Sequence, residues 1–216
     1  AVIDLLGAKW DQARMSFLDQ MNADLFLDGT GNGGKAVTGL ALLADSAGTY
    51  GNIARAANSW WSAQETAVSG ALAVAGASGM RRMYNDCSLG KGKRLPNLLI
   101  TTQIVFEAYE ALMDSNMRYS TTGEKNVGFE NDNLMFRRAP LFWDADCQSG
   151  VMYFLNTDYI KFVSHSGSAP EKGGFEVIPF RLAQNQTAKV AQLRWMGNLS
   201  CSNCRHQGKL TGLTNS

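Results

Sequence analysis

Seven apolar residues, Ile3, Leu6, Trp10, Ala13, Phe17, Met21 and Leu25, recur at intervals of three and four. That spacing places side chains in one stripe along an α-helix. Asp4, Lys9, Asp11, Gln12, Ser16, Asp19 and Asn22 fall on the opposite side. The pattern predicts a single amphipathic helix over residues 3–27, roughly 37 Å long at 1.5 Å per residue. Such a helix is well above the average globular length. Arg14 and Asp24 interrupt the stripe and Leu5 lies outside it, as suits a helix touched from more than one direction. Asp28-Gly29-Thr30-Gly31-Asn32-Gly33-Gly34 ends it, because glycine just past a helix accepts the left-handed conformation that stops one.

The rest of the chain is mixed. Gly39 to Leu43 is a short apolar segment, followed by the loop signal Gly48-Thr49-Tyr50-Gly51-Asn52. Ser62 to Asp86 is Ala-rich and reads as a second helix, weakened by Gly70, Gly76 and Gly79. Gly90-Lys91-Gly92-Lys93-Arg94 reads as a solvated loop, and 116–133 as a long polar surface loop. Leu98 to Thr101 predicts a buried strand, with Thr101 or Thr102 capping a helix over Ile104 to Asp114. Short apolar runs between turn residues predict strands at Leu134–Phe136, Pro140–Trp143, Val151–Leu155 and Tyr159–Val163. Phe175–Leu182 is another, where Pro179 marks an edge or a bulge. Ala188 to Cys201 reads as one long strand: Ala191, Leu193, Trp195, Leu199 and Cys201 share one face, and Gln192, Arg194, Asn198 and Ser200 the other. Without a regular βαβ alternation, the fold class is α+β.

Composition excludes several classes. With 20 basic and 19 acidic residues among 216, the net charge is +1, unlike a dedicated nucleic-acid binder. At 45% hydrophobic and 18% charged, the chain is globular rather than disordered. No apolar run approaches the ~20 residues of a membrane span. Cys87, Cys147, Cys201 and Cys204 are too few for a disulfide scaffold and read as reduced thiols of a protein folding in a cytoplasm.

Two constellations invite a chemical reading. Gly29-Thr30-Gly31-Asn32-Gly33-Gly34-Lys35-Ala36 has the G-x-x-x-x-G-K spacing of a phosphate-cradling loop. However, Ala36 lacks the hydroxyl that would reach Mg²⁺, and the loop leaves a helix where a phosphate loop leaves a strand. A flexible glycine linker is the expectation. Cys201-Ser202-Asn203-Cys204-Arg205-His206 offers two thiolates and an imidazole to Zn²⁺. A structural zinc site needs a further ligand pair, and Cys201 lies in phase with an apolar strand face, so packing is expected of Cys201, Cys204 and His206. His165 sits in a Ser/Gly loop, and Asp144 and Asp146 read as turn residues. Trp60, Trp61, Tyr153, Phe154 and Trp195 lie in apolar runs and read as core or interface mass. No nucleophile, base and orienting group assemble, so neither catalysis nor a cofactor is expected.

Four stretches together resemble the major capsid proteins of tailed bacteriophages with the Hong Kong 97 fold. They are GLALLADSAGTYGNIARAANSWW (39–61), LPNLLITTQIVFEAYEALM (95–113), APLFWDADCQSGVMYFLNTDYIKF (139–162) and NQTAKVAQLRWMGNLSCSNCRHQGKLTGL (185–213). The resemblance implies a spine helix at 3–27, a peripheral domain over 1–61 and 172–216, and an inserted axial domain over 62–171. It implies a structural, non-enzymatic role: pentamers and hexamers of this chain closing an icosahedral head around double-stranded DNA. The DNA contact would be weak and non-specific, and scaffold, portal and decoration proteins would be further partners. The location implied is the virion capsid, assembled in the host bacterial cytoplasm. The family carries an arm and an extended loop ahead of the spine helix, whereas this sequence opens inside the helical stripe, so a longer gene product is expected. Within the same architecture the alternative is an encapsulin-type bacterial compartment. From other classes, the alternatives are a nucleotide-binding enzyme using Gly29–Lys35 and a zinc-stabilised module using Cys201 and Cys204.

Overall fold

The computed structural model describes residues 2–72, 76–88, 95–114, 134–165, 175–182, 187 and 189–214. The loops expected at 90–94 and 116–133 lie outside the described residues. In chain order, α1 (Val2–Leu25) is followed by two single turns, α2 (Gly31–Gly34) and α3 (Leu40–Leu43). A small hairpin, β1 (Thr49–Tyr50) with β2 (Ile53–Ala54), leads to β3 (Gln64–Ala71) and α4 (Ala77–Cys87). Next come β4 (Leu98–Thr101), α5 (Gln103–Asp114), β5 (Leu134–Phe136) and β6 (Ala139–Trp143). β7 (Met152–Leu155), β8 (Ile160–Ser164), β9 (Phe175–Leu182), β10 (Lys189–Trp195), β11 (Gly197–Cys201) and β12 (Gly208–Thr214) complete the order. The class is α+β, as the sequence predicts. No helix among the described residues is long and apolar enough to cross a membrane.

Residues 40–160 and 201–216 form one compact unit. Its centre is a six-stranded sheet in the order β3-β12-β7-β4-β6-β5. β12 runs parallel to β3 and β4 parallel to β6, and the remaining pairs are antiparallel. The crossover from β4 to β6 carries α5, as a parallel pair requires. On α4, Met80, Met83, Tyr84 and Cys87 recur at helical spacing, and α5 adds Val105 and Tyr109. Together they cover Leu99, Leu141, Met152, Phe154 and Leu210 of the sheet. β7 is buried along its whole length, so its run Met152-Tyr153-Phe154-Leu155 is apolar without alternation. β12 bulges against β3 between Thr211 and Leu213. Gly212 sits there at φ +78°, and a Cβ would run into the Val68 carbonyl.

Residues 1–39 and 161–200 form the other unit. It contains α1, the antiparallel ribbon of β9 with β10, and most of the β8–β11 pair. Phe17 of α1 meets Phe175 edge-to-face at 5.3 Å and Trp195 at 6.2 Å. The Arg14 guanidinium lies 5.8 Å over the Phe175 ring, so a residue that interrupts the apolar stripe still packs on an aromatic face. Gly39 closes against the end of α1, where a Cβ would collide with the carbonyl oxygens of Asp24, Leu25 and Leu27.

Two expected elements are corrected. The helix expected over 62–86 is strand β3 followed by α4. Alanines raise helix propensity there, but pairing with β12 from Gln64 to Ala71 and burial of Val68 override it. The long strand expected over 188–201 is two strands, β10 and β11, interrupted at Met196. β10 pairs with β9 and β11 with β8, and at Gly197 the Trp195 ring folds back into the space a Cβ would occupy. The alternation of faces nevertheless persists: 191, 193 and 195 are half-buried, Leu199 and Cys201 buried, and 192, 194, 198 and 200 exposed. The ribbon register shifts between Val190 and Gln192, opposite Pro179 and Phe180, which places the bulge where the proline predicts it. The limits of the two compact units differ from the 61/62 and 171/172 boundaries expected for the peripheral and axial domains.

Candidate assembly surface

The unit of 1–39 and 161–200 buries little of its apolar surface. Among the described residues its fully buried hydrophobics are three, Phe26, Val37 and Leu199, while eleven large hydrophobics are exposed. On α1 the exposed ones are Leu5, Met15 and Leu18, with Leu27 just beyond. The stripe read from the sequence fares no better, since Trp10, Phe17, Met21 and Leu25 are only half-buried. The ribbon exposes Val177, Phe180, Leu182 and Val190, with Leu182 at 71%. Phe162, Val163 and Met196 are exposed as well.

Single exposed hydrophobics are ordinary, but a long helix and a ribbon that fully bury none of their described large apolar side chains are not. An isolated two-stranded ribbon is marginal in water, and its outer edges offer unpaired backbone groups to another chain. Among the described residues the other unit has the opposite balance: twenty-seven buried hydrophobics against five large exposed ones, Trp60, Ile104, Met135, Phe142 and Trp143. Among the described residues, one unit therefore has an extensive buried core and the other little of one.

The residues singled out for chemistry fall elsewhere. The glycine loop leaves α1 and makes one distorted turn, with Asn32 and Gly33 left-handed at φ 51° and 67°. Residues 32–35 are exposed. Asp28 accepts from the Thr30 backbone N–H at 3.0 Å and from the Thr30 hydroxyl at 2.7 Å. Those bonds, the backbone one first, hold its carboxyl below the usual range, so a negative charge stands at the mouth of a loop that would have to receive phosphate.

Cys201 and Cys204 are both buried. His206 Nδ1 lies 2.8 Å from the Cys87 carbonyl oxygen, and its ring stacks on Tyr159 at 5.1 Å. Among the described residues no three His, Cys, Asp or Glu side chains group as a metal would require. Asp144 Oδ1 accepts from the Asp146 backbone N–H at 2.9 Å in an Asx turn, and His165 is exposed. Trp61, Tyr153 and Phe154 are core, with Trp61 Nε1 donating to the Tyr50 carbonyl at 3.0 Å; Trp60 is exposed and Trp195 half-buried.

Sequence reading missed Arg55. It is 2% exposed, with Nη1 donating to Ala47 O at 2.8 Å and Nη2 to Leu42 O and Leu43 O at 2.9 and 3.0 Å. Nothing in the tripeptide Ala54-Arg55-Ala56 distinguishes it from a surface arginine.

No family model matches the chain, and no curated protein matches it in sequence. Solved structures do. The cyanophage A-1(L) capsid asymmetric unit matches with a TM-score of 0.70 at 18% identity, covering 97% of this chain and 69% of that one. The holo-SrpI encapsulin complex from Synechococcus elongatus PCC 7942 matches with a TM-score of 0.57 at 11% identity, covering 95% of this chain and 65% of that one. The chain therefore has the Hong Kong 97-type fold of phage capsid subunits, and spans about two thirds of the length of these two structures' chains.

Proposed function

We propose that this chain is a shell subunit, the major capsid protein of a tailed phage, and that its role is structural rather than catalytic. The observation that carries this is the imbalance in the unit of 1–39 and 161–200, where, among the described residues, eleven large hydrophobics are exposed, seven of them on the helix and ribbon. A subunit that closes a shell needs such faces on several sides, and copies of itself cover them. On this reading that unit is the peripheral domain and the unit of 40–160 and 201–216 the axial one. Copies assemble into pentamers and hexamers in the bacterial cytoplasm and come to rest in the virion. A net charge of +1 suits a wall that encloses double-stranded DNA without gripping it. Scaffold, portal and decoration proteins complete the partners of such a head. The phage reading is favoured over the encapsulin compartment by the higher TM-score, 0.70 against 0.57.

Sedimentation velocity tests it. Phe180→Asp and Leu182→Asp on the ribbon should shift the protein from large assemblies toward single subunits, while urea midpoints of the unassembled subunit stay unchanged. Unaltered assembly in both variants would remove the ribbon from the interface.

A further inference from the structure

Besides the side that packs on the ribbon, α1 carries a second stripe. Asp11, Met15, Leu18 and Asp19 follow at steps of four, three and one, which gathers them on one side of the helix. Each lies about 100° or more round the axis from Phe17, the residue that meets the ribbon of the same copy. All four are exposed.

The ribbon has a matching free side. Phe175 and Trp195 pair in register, and both rings meet Phe17. Alternate residues therefore point away from α1. On β10 these are Val190, Gln192 and Arg194, and the register sets Arg181, Ile178 and Glu176 opposite them. Arg181, Val190 and Arg194 are exposed, and Ile178 is half-buried.

Charge and spacing fit the two faces to each other. α1 carries Asp4, Asp11, Asp19 and Asp24 against Lys9 and Arg14, a net −2, while the two ribbon strands carry Arg181, Lys189 and Arg194 against Glu176, a net +2. Among the described residues, Asp11, Asp19, Arg181 and Arg194 make no ion pair. The two aspartates are eight residues apart on a helix, about 12 Å. Along the strand direction, Arg194 lies four residues beyond the Arg181–Val190 pair, about 13 Å. Within one copy these arginines point away from α1, so the ribbon that meets the aspartates belongs to another copy.

We propose that the Asp11–Asp19 stripe of one copy seats on the Arg181–Arg194 side of the next copy's ribbon. Met15 and Leu18 lie against Val190 and Ile178, and the aspartates are flanked by the arginines. This rests on the shell reading and specifies one contact of that shell. The apolar residues supply the burial, and the exposed charges set partner and register more than affinity. Because helix meets ribbon, the contact is heterologous and runs head to tail around a ring.

Charge reversal tests it in the complete gene product carrying this chain, followed by sedimentation velocity and electron microscopy. Asp11→Lys with Asp19→Lys makes the helix repel the ribbon, and so does Arg181→Glu with Arg194→Glu. Each double variant should need at least about tenfold more protein to assemble. The fourfold variant opposes unlike charges again and should assemble as wild type does. A mixture of the two double variants attracts only in alternation, so it should form rings of six but not of five. Recovery in either case requires folded subunits, which separates a lost contact from a lost fold. Wild-type assembly with unaffected double variants would overturn this contact and leave the shell reading standing. So would loss in the helix variant alone, which would give the stripe another occupant, or failure of the fourfold variant to recover. A wild type that stays a single subunit would overturn both.

Discussion

Replacing Gln207 by leucine removes the side chain that satisfies a buried peptide group in the centre of the larger unit. Gln207 and Asn156 are both fully buried. The Asn156 backbone N–H donates to Gln207 Oε1 at 2.8 Å, and Gln207 Nε2 donates to the Asn156 carbonyl at 3.1 Å. Leucine has a similar volume, so little cavity opens, but the Asn156 N–H loses its Gln207 acceptor in a buried site, while the Asn156 carbonyl keeps the Tyr159 N–H at 3.3 Å. A buried group left unsatisfied costs about 1–3 kcal/mol, so the substitution should cost about that much, a sizeable share of a typical 5–15 kcal/mol total. Urea denaturation of the unassembled subunit measures this directly. Gln207→Glu adds a second check. A carboxyl buried there has its pKa raised above the unfolded value of about 4.3, so the folded state holds the proton more tightly. Stability is then fully present below that value and falls by about 1.4 kcal/mol per pH unit until the folded pKa is passed. A Gln207→Leu variant within about 0.5 kcal/mol of wild type, where only unstressed surface changes normally fall, would refute the reasoning. So would a Gln207→Glu variant whose stability does not decline from pH 5 to pH 7.

Two further outcomes follow from single contacts. Burial acts to raise Glu65, but the Ser46 hydroxyl and the Lys209 ammonium 3.1 Å away more than offset it, leaving its carboxyl below the usual range. Its contribution is therefore present above about pH 4.3 and lost as pH falls through the folded value. Glu65→Gln should flatten the acid limb of the stability curve between about pH 4.5 and 3, and parallel limbs in the two proteins would contradict this. Gly39→Ala should destabilise by about 1–3 kcal/mol, the usual range for overpacking, because the added methyl meets three backbone carbonyls; a thermal midpoint equal to wild type would show that the close approach is absent.

How far the sequence carries can be read from particular residues. The strands from Leu98 to Ser164 are legible because short apolar runs alternate with turn residues, and α1 because its stripe recurs over many turns. β3 is not, since Ala67 and Ala71 favour helix locally and only the pairing with β12, more than a hundred residues away in sequence, decides otherwise. β12 itself carries Gly208 and Gly212 and shows no clean alternation. The assembly surface is hidden for a related reason: Val177, Phe180 and Leu182 read as apolar strand residues whether they face a core or a neighbour. Cys201 and Cys204 are visible as a motif, but the burial of Arg55 against the carbonyls of Leu42, Leu43 and Ala47 comes from a segment with no signal at all.

Self-association is the central claim, and electron microscopy of the complete gene product carrying this chain, expressed alone and with its genomic neighbours, tests it most directly. The account predicts rings of five and six subunits or closed icosahedral shells, with Phe180→Asp reducing their number. A monodisperse single subunit at high protein concentration in both preparations would contradict it.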